Sequence, residues 1–491
     1  MSLTVWTICG PPRAINNGPT AASSDNEFVT STRALVRLDD DALRVLAAIR
    51  QAGGRPMLVG GCVRDALLNP GSAAKDIDVE VYGIPSLEPL ATALDGAGRV
   101  AEAGKAFGVL KVRAGATDID VSLPRRDSKT GTGHRGFTVA ADAEMSFKEA
   151  SGRRDYTINA IMADPATGQV IDYWGGRADL EAGVLRHTTE AFVEDPLRVL
   201  RGVQFAARFG FTFAPQTATL CRSLFDAYHE LPVERVWGEV EKIGTKGRRL
   251  TAGLAALEAS GWEHHFPQIA ALHGIPQDPR WHPEGDVHVH TGLAGDQAAR
   301  LADETGMTGA DRFVVVMGAL AHDFGKVTHT QRAGRRITSH GHAAAGVEPA
   351  RAFLRSAGTP EALTARIVPL VKEHMCPVGR PTWSAVRRLA RRLVPATMTE
   401  LALVCGADRA GRGDPDAPNP ALAWLAVASR LQVTERPVKG LLTGHHLIAA
   451  GMTPGPPFTP LLAAALAAQD AGEFSDEAGA IRWLHAHLTA A

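Results

Sequence analysis

The chain has 491 residues, too many for one hydrophobic core and enough for about three or four compact units. Its 45% hydrophobic and 21% charged residues are ordinary for a soluble globular protein, and a net charge of −1 gives no global sign of nucleic-acid binding, so any RNA surface has to be local. Five widely spaced cysteines without a CxxC pair argue against a disulfide framework or structural zinc site, and no apolar run approaches the roughly 20 residues needed to span a bilayer.

Residues 1–37 mix Asn, Ser, Thr, Gly and Pro without periodicity and read as a flexible tail; Gly10, Pro11 and Pro12 break any secretory signal. The expected location is the cytoplasm. Asp39 to Ala52 follows a helical pattern, with Leu43, Val45, Leu46 and Ile49 on one side. A short strand, Pro56 to Val59, then meets Gly60-Gly61 and a helix from Val63 to Leu68. Lys75 to Tyr82 alternates as a strand, with Ile77, Val79 and Val81 on one face and Asp76, Asp78 and Glu80 on the other. Ile119, Val121 and Leu123 repeat that alternation opposite Asp118 and Asp120. Strands and helices mix up to about residue 190, the mark of an α/β head domain over 38–190. Beyond it the pattern is helical: a neck over 191–275, a His-rich region over 280–415, and Ala/Leu-rich helices over 420–491 as a tail that binds RNA. The expected fold is therefore an α/β head followed by all-α neck, His-rich and tail regions.

Asp76 and Asp78 stand two apart on one strand, so both carboxylates point the same way, and Asp120 on a later strand is a third candidate. Such carboxylates can hold Mg²⁺ shared with substrate phosphates, as in two-metal transfer to a 3′-hydroxyl. A DxD alone is more often a solvated strand face. The upstream context shifts that balance: Gly60 and Gly61 let backbone N–H groups approach a triphosphate, and Arg64 on the following helix can clamp a phosphate oxygen.

Gly60-Gly61-Cys62-Val63-Arg64-Asp65 with Lys75-Asp76-Ile77-Asp78 resembles the first motif of the class II tRNA nucleotidyltransferase and bacterial poly(A) polymerase family. Arg153 to Ala160 (RRDYTINA) resembles its second motif, Asp179-Leu180 with Arg186 its third, and Glu194 to Arg201 (EDPLRVLR) its fourth. The resemblance implies that Gly61, Arg64, Arg153, Arg154, Asp155, Asp195, Arg198, Arg201 and the position of Gln204 bind the nucleotide, with Asp76, Asp78 and Asp120 catalytic. Asp195 and Arg198 are three apart on one helix face. An aspartate accepts from the exocyclic amine of cytosine or adenine while an arginine donates to the adjacent ring nitrogen, and uracil and guanine mismatch both. Capping is the competing role for Asp195, because Asp before Pro is also a helix start. Gln204 departs from the family, which usually has arginine there; the exchange removes a charge-assisted contact of roughly 1.5–3 kcal/mol. The Gly-rich segment Pro124 to Phe137 is expected to be a mobile loop whose Arg125, Arg126, Lys129 and Arg135 touch triphosphate or RNA as readily as solvent.

His322-Asp323 ends an apolar helical run, Phe313 to Ala321, and continues as Phe324-Gly325-Lys326. With His290 upstream and Asp408 downstream it matches the H…HD…D pattern of HD phosphohydrolases, a ligand set for a divalent transition metal such as Ni²⁺, with Lys326 on the substrate phosphate. His290 is preferred over His282 and His288 by similarity to the family's WHPExDxxxHT segment. His340, His342 and His374 are each more readily packed or surface histidines than second-metal ligands. Together these segments resemble the HD-bearing subgroup of bacterial CCA enzymes, which implies 2′,3′-cyclic phosphodiesterase, 2′-nucleotidase and phosphatase activity. Arg387, Arg388, Arg391 and Arg392 form a basic stripe on a helix, read as an RNA surface because few acids lie nearby in sequence.

The resulting expectation is CCA addition to tRNA 3′ ends from CTP and ATP, with hydrolysis of phosphoesters by the HD region and no membrane partner. Poly(A) synthesis, partial CC or A addition, a hydrolase with a vestigial head, and a non-catalytic RNA-binding protein are the alternatives; the oligomeric state is open.

Overall fold

The computed structural model of the chain describes residues 35–71, 74, 76–103, 108–129, 137–376, 379–414 and 416–489. The expected tail lies outside the described residues up to position 34, as does Arg135.

The head is a seven-stranded mixed sheet in the order β3-β4-β5-β2-β1-β8-β9. Its strands are β1 (Arg55–Val59), β2 (Asp76–Tyr82), β3 (Arg99–Ala103), β4 (Val109–Ala114), β5 (Thr117–Ser122), β8 (Met162–Ala163) and β9 (Val170–Ile171). Ile77, Val79 and Val81 are buried as their alternation requires, and they pack with Val45, Leu46 and Ile49 of the helix Asp40–Gln51. That helix starts at Asp39, whose carboxylate accepts from the Ala42 N–H. Leu43 does not join the expected stripe: it is exposed, and Ala42 takes the buried position. Two consecutive pairings matter for function. β1 runs antiparallel to β2, and β2 runs parallel to β5 with Asp76 opposite Asp118 and Asp78 opposite Asp120.

The expected loop from Pro124 is instead the start of a two-stranded antiparallel ladder, β6 (Arg125–Lys129) with β7 (Phe137–Ala141).

From Tyr156 onward one continuous apolar core runs through the end of the head, the neck and the HD region as far as Val433. The composition change near residue 190 therefore does not coincide with a break in packing. The neck helices Val233–Lys246 and Leu250–Ala259 lie against the HD helices Gly309–Ala321 and Val287–Glu304, and Leu197–Phe209 packs on those two neck helices. Arg312 is buried at that junction and donates to the Gly244 and Gly247 carbonyls at the end of Val233–Lys246. These are carbonyls a helix end cannot satisfy internally. The tail helices Gly444–Ala449, Phe458–Ala471 and Glu477–Thr489 close a separate small core around Leu447, Ala465 and Leu484.

Candidate functional site

A cavity of about 450 Å³ opens between the head sheet and the neck, a volume suited to a nucleotide. Eight cationic side chains line it (Arg64, Arg154, Arg198, Arg201, Arg208, Arg235, Lys242 and Lys246) against three carboxylates, Asp78, Asp155 and Asp195. Such an excess suits a polyanion.

Gly60 stands at the mouth with φ of 71°, a left-handed conformation that favours glycine. A Cβ there would lie 3.2 Å from both Asp78 Oδ2 and Arg154 Nη1, so glycine also supplies the space at the junction of carboxylate and guanidinium. The register of β2 and β5 brings Asp78 beside Asp120, with Asp76 on the same exposed face of β2. Burial and the like charges of Asp120 and Asp76 push the Asp78 carboxyl up, opposed by Arg154. Three oxygen donors in mutual repulsion fit a hard divalent cation.

Deeper in the cavity, Asp155 accepts from Arg201 Nε at 2.8 Å, from Asn159 Nδ2 at 2.9 Å and from the Tyr156 N–H at 2.8 Å. Burial opposes its charge, but Arg201 and these hydrogen bonds outweigh it and hold the carboxyl down at about 2. Asn159 in turn accepts from Arg64 at 2.6 Å. Arg64 is 4% exposed, pairs with Asp65 and lies over the rings of Phe205 and Phe209. These partners fix it where it lines the cavity. Arg154 keeps a buried Nε without a partner and faces Glu80 at 3.6 Å.

Asp195 and Arg198 both line the cavity, each fixed from behind. Arg235 grips Asp195 in a two-pronged ion pair at 3.1 and 2.8 Å, while Asp195 also accepts from the Leu197 N–H at 3.2 Å. The capping role and the cavity position thus coexist. Arg198 donates to the carbonyls of Ala191 at 2.8 Å and Arg153 at 2.7 Å. Arg153 itself does not line the cavity; its side chain bonds the Arg125 carbonyl and faces Glu194 at 4.0 Å. Gln204 is buried in the cavity wall, one helical turn from Arg208, whose guanidinium pairs with Asp65 at 2.9 Å.

The second constellation lies in the HD region, where His290, His322, Asp323 and Asp408 converge as expected. His290 Nε2 is 3.2 Å from Asp408 Oδ1 and 3.7 Å from Asp323 Oδ2, and His322 Nε2 is 3.1 Å from Asp323 Oδ2. His342 and His374, read as packed or surface residues, are buried beside them: His342 Nε2 is 3.1 Å and His374 Nε2 3.9 Å from Asp323 Oδ1. His340 is exposed and stays outside.

All four imidazoles are oriented alike. Nδ1 of His322, His342 and His374 meets the carbonyl of Ala319, Ser339 and Val371, and Nδ1 of His290 meets Glu284 at 2.7 Å. With a carbonyl or carboxylate at Nδ1, each ring turns Nε2 toward Asp323 or Asp408. His290 and His322 Nε2 are buried without a hydrogen-bond partner. Burial and the neighbouring His322 hold His374 down at about 3, so it is a neutral donor. Lys326 sits inside this centre, 2.6 Å from Asp323 and 2.7 Å from Gln277. Bare imidazole nitrogens with carboxylates are a donor set for a transition-metal ion.

Two families match these regions: a poly A polymerase head domain over residues 57–186 and an HD domain over 287–410. The "Multifunctional CCA protein" of Xanthomonas campestris is 38% identical over 370 residues, covering 72% of this chain and 85% of that one. The chain belongs to the multifunctional CCA protein family. Its fold is that of solved CCA-adding enzymes. The Bacillus stearothermophilus enzyme in complex with CTP is 22% identical, with a TM-score of 0.61 over 92% of this chain and 97% of that one. The Thermotoga maritima enzyme complexed with tRNA is 21% identical, with a TM-score of 0.51 over 91% and 95%.

Within this family member, the charged cavity residues that lie outside the motifs are Arg208, Arg235, Lys242 and Lys246. Arg235, Glu239, Lys242 and Lys246 recur at helical spacing on Val233–Lys246, a signal the sequence carries. The basic stripe is a correction. Arg391 is paired twice with the buried Asp470 at 3.0 and 2.8 Å, Arg392 with Glu373 at 2.9 Å, and Arg387 bonds the Gln469 carbonyl. Much of the stripe holds the tail. No helix among the described residues is long and apolar enough to cross a membrane.

Proposed function

We propose that the chain adds C, C and A to the 3′ ends of tRNA from CTP and ATP in the head–neck cavity, and hydrolyses phosphoesters at the histidine centre, in the cytoplasm. One observation carries the first half: Asp78, with Asp120 in register beside it, shares a cavity with the Asp195–Arg198 pair. The relatives named for CCA function, and the related enzymes solved with CTP and with tRNA, support the same substrates.

Asp76, Asp78 and Asp120 would hold Mg²⁺, which supplies activation of the attacking 3′-hydroxyl and stabilisation of the leaving pyrophosphate. Arg154 and Arg201, with Lys242 and Lys246, bind triphosphate charge. Asp195 keeps lone pairs beyond those Arg235 uses, and Arg198 keeps N–H groups beyond those on Ala191 and Arg153, so both can read the Watson–Crick edge of C or A.

At the histidine centre, Asp323 turns Oδ2 toward His290 and His322 and Oδ1 toward His342 and His374. His342 and His374 face each other Nε2 to Nε2 at 3.1 Å. His290, His322, His342, His374, Asp323 and Asp408 would hold the transition metal. The metal supplies Lewis acidity toward the phosphate and acidifies water; Lys326 is placed to meet a phosphate oxygen once released from Asp323.

The test incubates the full chain with tRNA lacking its 3′ end, first with each NTP alone and then with CTP plus ATP. Ordered incorporation that stops after three residues is expected; an unbounded A tail would mean a poly(A) polymerase. Asp78→Ala should abolish addition and keep hydrolysis of a 2′,3′-cyclic phosphate, and His322→Ala should do the reverse. Addition surviving in Asp78→Ala would sink the carboxylate assignment, and loss of both activities in His322→Ala would contradict independent sites.

A further inference from the structure

A third group of metal-type donors lies outside both sites, where the neck ends. We propose that Glu263, His273 and His288 bind a divalent transition-metal ion of the zinc class that clips the neck to the first helix of the HD region. Glu263 belongs to the 3₁₀ turn Trp262–His265, His273 follows the short helix Pro267–Ala270, and His288 is the second residue of Val287–Glu304. An ion held by all three would add a coordination tie between these segments.

The donor atoms already converge. His273 Nε2 is 3.0 Å from both oxygens of Glu263, His288 Nε2 is 3.2 Å from Oε1, and the three ligand atoms all lie within 4.8 Å of one another. With metal–ligand bonds of about 2.0–2.1 Å, neighbouring donors in a tetrahedral shell stand about 3.3–3.4 Å apart. Two imidazoles and one carboxylate are a ligand set that zinc uses with a fourth position open.

Two further observations point to a cation. His288 Nε2 is buried and makes no hydrogen bond, although a carboxylate oxygen lies 3.2 Å away. Glu263 is 5% exposed, and among the described residues its ion-pair contacts are with these two histidines and with no Lys or Arg. A divalent ion would bring a fixed positive charge to this buried carboxylate. The two rings stack at 3.7 Å with 22° between planes. Coordination by both therefore requires one ring to turn out of the stack, and His273, whose side chain is 38% exposed, has the room.

The site is distinct from the histidine centre. His288 and His290 are two residues apart on one helix, about 200° around its axis, so they face opposite ways. His290 points at Asp408 and His288 at the neck. An ion here would fix the start of the helix that presents His290.

The experiment uses the full chain in an Asp78→Ala, Asp323→Ala background, which weakens the two other ion sites. Protein stripped with chelator is titrated with Zn²⁺, and with Co²⁺ for its visible absorption. His273→Ala, at a half-exposed position that leaves the core intact, should bind one equivalent fewer than its parent and lose the Co²⁺ absorption of a nitrogen-ligated site. Glu263→Gln should weaken binding in the same way, and Zn²⁺ should raise the parent's Tm but not that of His273→Ala. Equal stoichiometry in parent and His273→Ala would overturn the proposal, as would binding that disappears with Asp323→Ala alone.

Discussion

Arg235 fixes the direction of Asp195 by gripping both carboxylate oxygens, and it comes from a helix about 40 residues further on. It touches no base in this arrangement, so it acts through Asp195 as a positioning residue. Arg235→Ala should raise the KM for CTP and ATP roughly 10- to 100-fold, the equivalent of a lost charge-assisted bond of about 1.5–3 kcal/mol. A merely structural loss would not change which bases enter; sequencing of the added ends should show U and G appearing in the variant. Lysine at this position should rescue poorly, because it cannot reproduce the planar fork. Asp155 carries a pH signature. Its carboxyl lies at about 2 in the fold against an ordinary value of 3.8. The folded pKa is depressed, so its contribution of about 2 kcal/mol is complete above roughly pH 4 and is lost as pH falls toward 2. Denaturant titrations of the parent and Asp155→Asn should therefore differ at neutral pH and converge across that window. Asp155 and Arg201 were legible because the motif keeps them in fixed local order. Arg235 was not, since its partner lies on another element and only the fold sets them face to face. The aromatic bracing of Arg64 was not legible for the same reason: Phe205 and Phe209, which cover it, sit more than a hundred residues away.

At the scale of elements, strand alternation and helical spacing carried the sequence reading well. β2 and its carboxylates stand where the pattern put them, as does the helix Leu197–Phe209. The helix Trp383–Leu393 shows the limit. Its arginines form a stripe, but the acids that neutralise them, Glu373 and Asp470, arrive from neighbouring helices. Local sequence contains no trace of that pairing. Arg391→Ala should cost about 3 kcal/mol in docking of the tail, because it leaves the buried Asp470 without its partner. Limited proteolysis should then cut faster between 431 and 443, while the salt dependence of tRNA affinity stays as in the parent. A slope reduced by about one would restore Arg391 as a phosphate contact.

Across the whole molecule, the continuous core from Tyr156 to Val433 predicts how the chain comes apart. Neck and HD region should unfold in a single cooperative transition, and the tail, with its own small core, in a separate and earlier one. Calorimetry on the full chain, repeated with the tail removed after residue 435, tests this; two transitions within 156–433 would contradict it. The His342 and His374 pairing belongs to this scale too, since four separate helix ends and turns must meet before those nitrogens face Asp323. Spacing in sequence could name the residues but not their company.

The helix Val233–Lys246 serves two neighbours at once. Along one face it lends Arg235, Lys242 and Lys246 to the cavity, and at its far end Arg312 of the HD region holds its last carbonyls. Polymerase and hydrolase thus share a beam. A shortened chain ending before residue 280 would lose the bracket as well as the hydrolase, so poor nucleotide addition by such a fragment would report a sagging wall, not a catalytic debt to the missing half. Point changes at His322, which leave Arg312 in place, are the way to take the two activities apart.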